Sequence, residues 1–146
     1  MVIGIASDHR GFELKEKILE SMKDIQLIDF GTTSDESTDY PIYAIKIGEA
    51  VKNKIIDYGI LICGSGIGMS IACNKVKGVR CAKVENAMEA KYTRNDNDAN
   101  VVSFSENHSL EECIDIITNF INTPFKEEEK YIRRKKQITD YEGLNG

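Results

Sequence analysis

The chain has 146 residues, is 41% hydrophobic and 29% charged, and carries a formal net charge of −5. That length suits one domain with a real hydrophobic core, taken here as residues 1–146 with 126–146 as a C-terminal helical arm. The negative charge, with no basic stretch before the C-terminal end, argues against a nucleic-acid binder. No apolar run approaches a membrane span, so no membrane insertion is expected. The four cysteines, Cys63, Cys73, Cys81 and Cys113, form no CxxC pair, and there are two histidines, His9 and His108. A metal site at familiar His/Cys spacing is therefore not expected.

Strand and helix signals alternate along the chain. Val2–Ala6 is a short apolar strand; it lacks the basic flank of a signal peptide and soon meets Asp8. A reduced, cytoplasmic compartment is the expectation for such a chain. Gly11–Met22 has apolar residues at helical spacing, and Ile25–Phe30 is a second strand. A polar loop, Thr32–Asp39, leads to Tyr40-Pro41, where proline suits the first turn of a helix through Val51. Tyr58–Ile62 is the third strand, followed by a glycine loop and a helix to about Lys75. Val79–Val84, a helix over Asn86–Arg94, and Asn100–Phe104 continue the alternation. Leu110–Ile121 is an amphipathic helix stopped by Pro124, and Lys126–Tyr141 is charged and helical in pattern. Alternation of this kind predicts βαβ units with right-handed crossovers: an α/β, three-layer αβα sandwich around a Rossmann-like five-stranded parallel sheet. Ligands of such sheets bind beyond the C-terminal ends of the strands.

That rule directs attention to the segment Cys63-Gly64-Ser65-Gly66-Ile67-Gly68. A buried strand ends at a thiol, glycines follow at every second position, and a helix begins. Such grammar aims backbone N–H groups at one point, where an anion can sit. A thiol there is a candidate for acid–base or nucleophilic chemistry, although a buried cysteine alone is more often a small hydrophobe. The loop is not a P-loop, because no Gly-Lys-Ser/Thr follows, and its third glycine has the wrong spacing for a dinucleotide fingerprint. The glycines also suit a plain tight turn, and the sequence alone leaves these readings open. Asp8-His9 after the first strand is placed for proton handling or for gripping hydroxyls and phosphate; alternatively Asp8 caps the next helix. On the last helix Lys130 and Arg134 lie one turn apart, either on a solvated face or as a phosphate grip.

These pieces resemble one family. Ser7-Asp8-His9-Arg10-Gly11-Phe12, Asp29-Phe30-Gly31-Thr32, Thr38-Asp39-Tyr40-Pro41, the cysteine–glycine segment through Ala72, Asn74–Arg80 and Asn97–Val101 match, in order, the type B ribose-5-phosphate isomerases and the related galactose-6-phosphate isomerase subunits. The resemblance implies an aldose–ketose isomerase passing through a cis-enediolate. Cys63 would be the base that moves a proton between adjacent sugar carbons. Gly64, Ser65, Gly66, Ile67 and Gly68 would hold the enediolate oxygen, with Ser65 in the place of a common threonine. Asp8 and Tyr40 would bind the sugar, Asn97 would contact substrate, and His9, Lys130 and Arg134 would meet the phosphate. The resemblance further implies a site at a homodimer interface, with a tetramer as the larger alternative, reached by the C-terminal helix, and no metal or organic cofactor.

The chain departs from the family's pattern at several places. Asp96 stands where the family has its ring-opening histidine, and a carboxylate there can act as base for opening a furanose. The loop after the fifth strand has Asn107 where an arginine is common. Lys130-Tyr131 replaces an arginine–histidine pair, and Glu128-Glu129 replaces two glycines. Lysine holds phosphate without the two-pronged geometry of arginine. The leading expectation is interconversion of ribose 5-phosphate and ribulose 5-phosphate. A hexose 6-phosphate substrate of the galactose or allose type, or a sugar-phosphate-binding subunit that needs a paired subunit, are the alternatives.

Overall fold

Apolar runs of the chain become strands, the three central ones buried on both faces. In the computed structural model, which describes residues 1–144, these are β1 (Ile3–Ser7), β2 (Leu27–Asp29), β3 (Tyr58–Cys63), β4 (Cys81–Lys83) and β5 (Val101–Ser105). The last two residues of the expected arm, 145 and 146, lie outside the described residues. The helices are α1 (Phe12–Ser21), α2 (Tyr40–Lys52), α3 (Ile67–Cys73), α4 (Ala87–Asn97), α5 (Leu110–Asn122) and α6 (Glu129–Tyr141). All strand pairs are parallel and the order is β2-β1-β3-β5-β4.

Right-handed crossovers fix which helix covers which face. The chain steps one way from β1 to β2 and back past β1 to β3, so α1 and α2 fall on opposite faces. One core joins Ile3, Ile5, Ile60, Ile62 and Phe104 to residues of α1, α4 and α5. The other joins Ala6, Leu61, Cys63 and Val101 to Ala44 and Ile47 of α2 and Met69 and Cys73 of α3. The reversal opens a crevice beyond the C-terminal ends of β1 and β3, the usual ligand position in a sheet of this type.

Boundaries differ from expectation where local hydrogen bonds override pattern. Strand β2 begins at Leu27 rather than Ile25, and β4 at Cys81 rather than Val79. Val79 instead closes a turn with Val76 after the left-handed Gly78, and its side chain packs into the α2/α3 core. Helix α4 runs on to Asn97, so Asn95, Asp96 and Asn97 are helical rather than a turn; left-handed Asp98 ends it by returning its N–H to the Arg94 carbonyl. The last helix starts at Glu129, because the Lys126 N–H bonds the Asn95 carbonyl and holds that stretch against α4.

The polar run before β5 contains a buried clamp. Arg94 is 4% exposed and stacks 4.7 Å from the Tyr58 ring. It donates to Asp98 Oδ1 at 2.6 Å and to the Ala99 and Thr123 carbonyls. Asp98 also takes Lys135 of α6 and lies 3.6 Å from Arg80. Burial pushes the Asp98 carboxyl up, but hydrogen bonds from Lys135 and Arg94 overcome it and hold the group below the usual carboxylate range. A carboxyl depressed in the folded state adds stability that is fully present above its unfolded value, about pH 4, and is lost as pH falls through the folded value. We therefore expect Asp98→Asn to lower stability at pH 7 by about 1.5–3 kcal/mol, the range for hydrogen bonds to charged groups. Urea unfolding at pH 7 and pH 3 checks it: the deficit should shrink at the lower pH, and an equal deficit at both would refute the carboxylate's role.

Candidate active site

The end of β3 carries Cys63, 4% exposed, with its sulfur accepting the Gly66 N–H at 3.1 Å. Gly66 is left-handed, φ +80°, and a Cβ there would stand 2.8 Å from the Phe104 backbone, so only glycine fits. The loop carbonyls are turned into the sheet. Ser105 Oγ donates to the Gly64 carbonyl at 2.7 Å, and Ser103 Oγ donates to the Gly66 carbonyl at 2.9 Å. With carbonyls held below, and the Gly66 and Ile67 N–H groups taken by Cys63 Sγ and Ser65 Oγ, the Gly68 and Met69 N–H groups in the first turn of α3 remain without an intrahelical acceptor. Ser65 Oγ accepts the Ile67 N–H at 3.1 Å, which fixes the serine at the loop's rim.

The neighbouring loops close on this turn. Asp8, 6% exposed, accepts the N–H groups of Arg10 and Gly11 on one oxygen, at 3.0 and 3.1 Å. It thus organises the entry to α1, and its Oδ2 has no protein hydrogen bond among the described residues. Thr38 brackets His9 Nδ1 with its N–H and its carbonyl, both at 3.2 Å, which leaves Nε2 for a ligand. Tyr40 lies flat over Gly68, where a Cβ would come within 2.7 Å of the ring. Asp8, His9, Tyr40 and residues 63–68 therefore form one cluster at the C-terminal edge of the sheet.

Asp96, Asn97, Lys130 and Arg134 do not join it. Helix α4 runs antiparallel to the strands and ends beside Asn100, whose carbonyl accepts the Gly59 N–H at the start of β3. Gly59 and Cys63 are four residues apart on β3, roughly 13 Å at the usual strand rise. The far end has a groove of its own, about 650 Å3, lined by Arg80, Cys81, Asn97, Arg134, Ile138 and Tyr141 among others. One chain therefore carries two clusters at opposite edges of its sheet. Lys130 stands near Glu128 at 4.0 Å on the outer side of α6 and does not line that groove.

The remaining thiols have different surroundings. A hydrogen bond with Cys81 and then burial push the Cys73 thiol up, and burial with the charge of Glu112 pushes Cys113 up to about 12. Cys81 is only partly buried, because β4 is an edge strand. Among the described residues no three metal-ligating side chains converge. Sequence reasoning missed Ser103 and Ser105, although hydroxyls at alternate positions of an apolar strand were a visible signal. It also missed Thr38 as the residue that orients His9.

The comparisons with known proteins agree with this architecture. The family model described as Ribose/Galactose Isomerase matches residues 3–138. Ribose-5-phosphate isomerase B of Escherichia coli K12 is 43% identical over 104 residues, 70% of each chain. The structure of Clostridium thermocellum ribose-5-phosphate isomerase B superposes with a TM-score of 0.93 at 40% identity, covering 98% of both chains. That of the Mycoplasma genitalium enzyme with bound ribulose-5-phosphate gives 0.89 at 38% identity, covering 98% of this chain and 97% of the other. The chain belongs to the ribose/galactose isomerase family and is an isomerase of sugar phosphates.

The glycine turn yields a direct test. Gly66→Ala should cost more than about 1 kcal/mol, because alanine must adopt a positive φ against the Phe104 backbone. It should also abolish turnover even where the protein stays folded. Near-wild-type melting together with full activity would show that the loop can repack.

Proposed function

We propose that the chain interconverts ribose 5-phosphate and ribulose 5-phosphate at a site centred on Cys63. The single observation that carries this reading is the thiol at the mouth of the 63–68 turn, flanked by Asp8, His9 and Tyr40. The Cys63 thiolate takes the C2 proton of the open-chain aldose. The C–H electron pair becomes the C1–C2 double bond, and the carbonyl pair moves to O1 as an enediolate oxygen. N–H groups of the loop stabilise that oxygen, an interaction that matters most when charge develops. The C1–C2 double-bond pair then takes the thiol's proton at C1, the proton on O2 passes to O1, and the pair it leaves on O2 forms the C2 carbonyl. Asp8 Oδ2 and Tyr40 hold sugar hydroxyls, and His9 Nε2 reaches the phosphate.

A second copy of the chain completes the site. Asp96, Asn97 and Arg134 cannot reach Cys63 within one chain, so a two-fold partner would bring its far cluster against the near one. The surface supports such a partner: Ile42 and Ile45 of α2, with Ile67 and Ile71 of α3, are 51, 45, 54 and 58% exposed. Contiguous apolar exposure of this kind marks an interaction face. In the assembled site Arg134 would grip phosphate. Asp96 would serve as base in opening the furanose, with Lys130 adding charge at the rim. The homodimer, and any tetramer built from it, belongs to this proposal, as does a cytoplasmic location for an enzyme of central sugar metabolism. No helix among the described residues is long and apolar enough to cross a membrane.

Chelator-treated protein should form ribulose 5-phosphate from ribose 5-phosphate, read as ketose. Cys63→Ala should lose at least about a hundredfold in kcat, as expected for a general base. Turnover of a hexose 6-phosphate instead would keep the chemistry and change the substrate. No turnover of any sugar phosphate by the homo-oligomer would move the reading to a subunit that needs a different partner.

Subunit mixing tests the composite site separately. Cys63→Ala and Arg134→Ala, each inactive alone, should regain about a quarter of wild-type activity per subunit when unfolded and refolded together, because half the dimers are mixed and each mixed dimer has one intact site. Absence of any recovery, with dimers formed, would place Arg134 in the same site as its own Cys63.

A further inference from the structure

We propose that Arg10 is the charge-stabilising residue of the reacting end, held over the Cys63 turn by Glu106. The inference rests on the reading that Cys63 and its loop react. Strand order makes the arrangement possible. Because β3 lies between β1 and β5, any bridge from the loop after β1 to the loop after β5 must cross the end of β3. Arg10 and Glu106 make such a bridge: Nε donates to Glu106 Oε2 at 2.9 Å and Nη2 donates to Oε1 at 3.3 Å.

The bridge rests on Gly64. Measured from where a Gly64 Cβ would stand, the Arg10 Cζ, Nη1 and Nη2 atoms lie at 3.7, 3.8 and 3.9 Å. Three nearly equal distances mean that the guanidinium lies face-on above this residue, beside the sulfur-bearing strand end. Asp8 shapes the same turn by accepting the Arg10 N–H. Glu106 occupies Nε and one N–H of Nη2, and Nη1 has no hydrogen bond to protein among the described residues. The Arg10 charge is reinforced first by the hydrogen bond and charge of Glu106, with smaller attractions from Asp8 and Cys63.

Stability does not account for the pair. Arg10 is 59% exposed and Glu106 23%, and ion pairs so open to water contribute little to folding. What the pair fixes is position. A mobile arginine would be solvated away from the turn; a two-pronged clamp keeps a planar cation at one place, so it need not reorganise when negative charge appears. That charge passes from the thiolate to the enediolate oxygen during proton transfer, and both lie at the turn that Arg10 covers. The arginine acts on this shared charge, not on the phosphate, which is bound at the other end of the sugar.

Steady-state kinetics on ribose 5-phosphate separate the two roles. Arg10→Leu should lower kcat at least about tenfold, with KM changed less than about threefold, the pattern of an interaction made chiefly in the transition state. Arg10→Lys should recover part of that loss, which lost packing alone would not allow. A raised KM with kcat intact would reassign Arg10 to phosphate, and unchanged kinetics would give it no role; either result overturns the proposal. A readout independent of turnover is the rate at which iodoacetamide modifies Cys63, located by mass spectrometry. Arg10→Leu should slow it at least about threefold at pH 7, because only the thiolate reacts. If the wild type is silent on every sugar phosphate yet shows this slowing, the assigned reaction fails while the Arg10 proposal stands. An unchanged modification rate refutes the proposal.

Discussion

The turn that carries Cys63 depends on two hydroxyl-to-carbonyl hydrogen bonds between adjacent strands. Ser103 and Ser105 hold the Gly66 and Gly64 carbonyls within the sheet. Backbone carbonyl and N–H point in opposing directions along a tight turn, so fixing one set fixes the other. The loop can then present donors to an anion without paying for reorganisation when it arrives. The same constraint explains why Gly66 must be glycine and why β5, although internal, carries two serines. Those serines are costly to bury unless bonded, and each finds its partner in the turn it orders. Parallel pairing of Cys63 with Ser105 sets the register. A slip of one residue would turn the hydroxyl to the wrong face.

The second constraint is directional. In a sheet made of right-handed βαβ units each connecting helix runs antiparallel to the strands, so whatever sits late in a helix lies far from the strand ends where ligands bind. Asp96 and Asn97 sit late in α4, and the Lys126–Asn95 contact and the Lys135–Asp98 ion pair fasten the last segment of the chain to the same region. The polar arm therefore has a structural role before it has a functional one. Its attachment is what sets the presentation of Arg134.

Much of this was legible in the sequence, and the reasons are physical. Continuous apolar runs for strands and 3.6-period apolar patterns for helices are strong here because both faces of the sheet are covered, so element types and the parallel architecture follow from burial alone. Cys63 and its glycines stood out because close backbone packing and positive φ restrict residue choice. Boundaries at β2, β4, α4 and α6 were less legible, since edge strands and helix ends are decided by single hydrogen bonds such as Lys126 to Asn95. Local pattern makes Arg94 the polar end of a helix, whereas it is buried against Tyr58 and Phe120. Least legible was distance. The resemblance placed Asp96 and Arg134 in one list with Cys63, and only the path of α4 shows that they stand at opposite edges.

A chain of net charge −5 that handles a phosphate dianion must gather cations locally, and the ion pairs show which ones are committed elsewhere. Lys15 is wholly buried and held by both oxygens of Asp29, with Glu16 beside it. Arg94, Arg80 and Lys135 converge on Asp98. Arg133 and Lys136 pair along their own helix with Glu129 and Asp140. Among the described residues Arg134 has no acidic partner, and it lines the far groove with Asn97. At the other edge Arg10 has a partner, but that pair is open to water and spans the turn itself. On the proposed reading charge is divided as the chemistry divides: one uncommitted arginine where a phosphate would be gripped, and one tethered arginine where negative charge would only pass through.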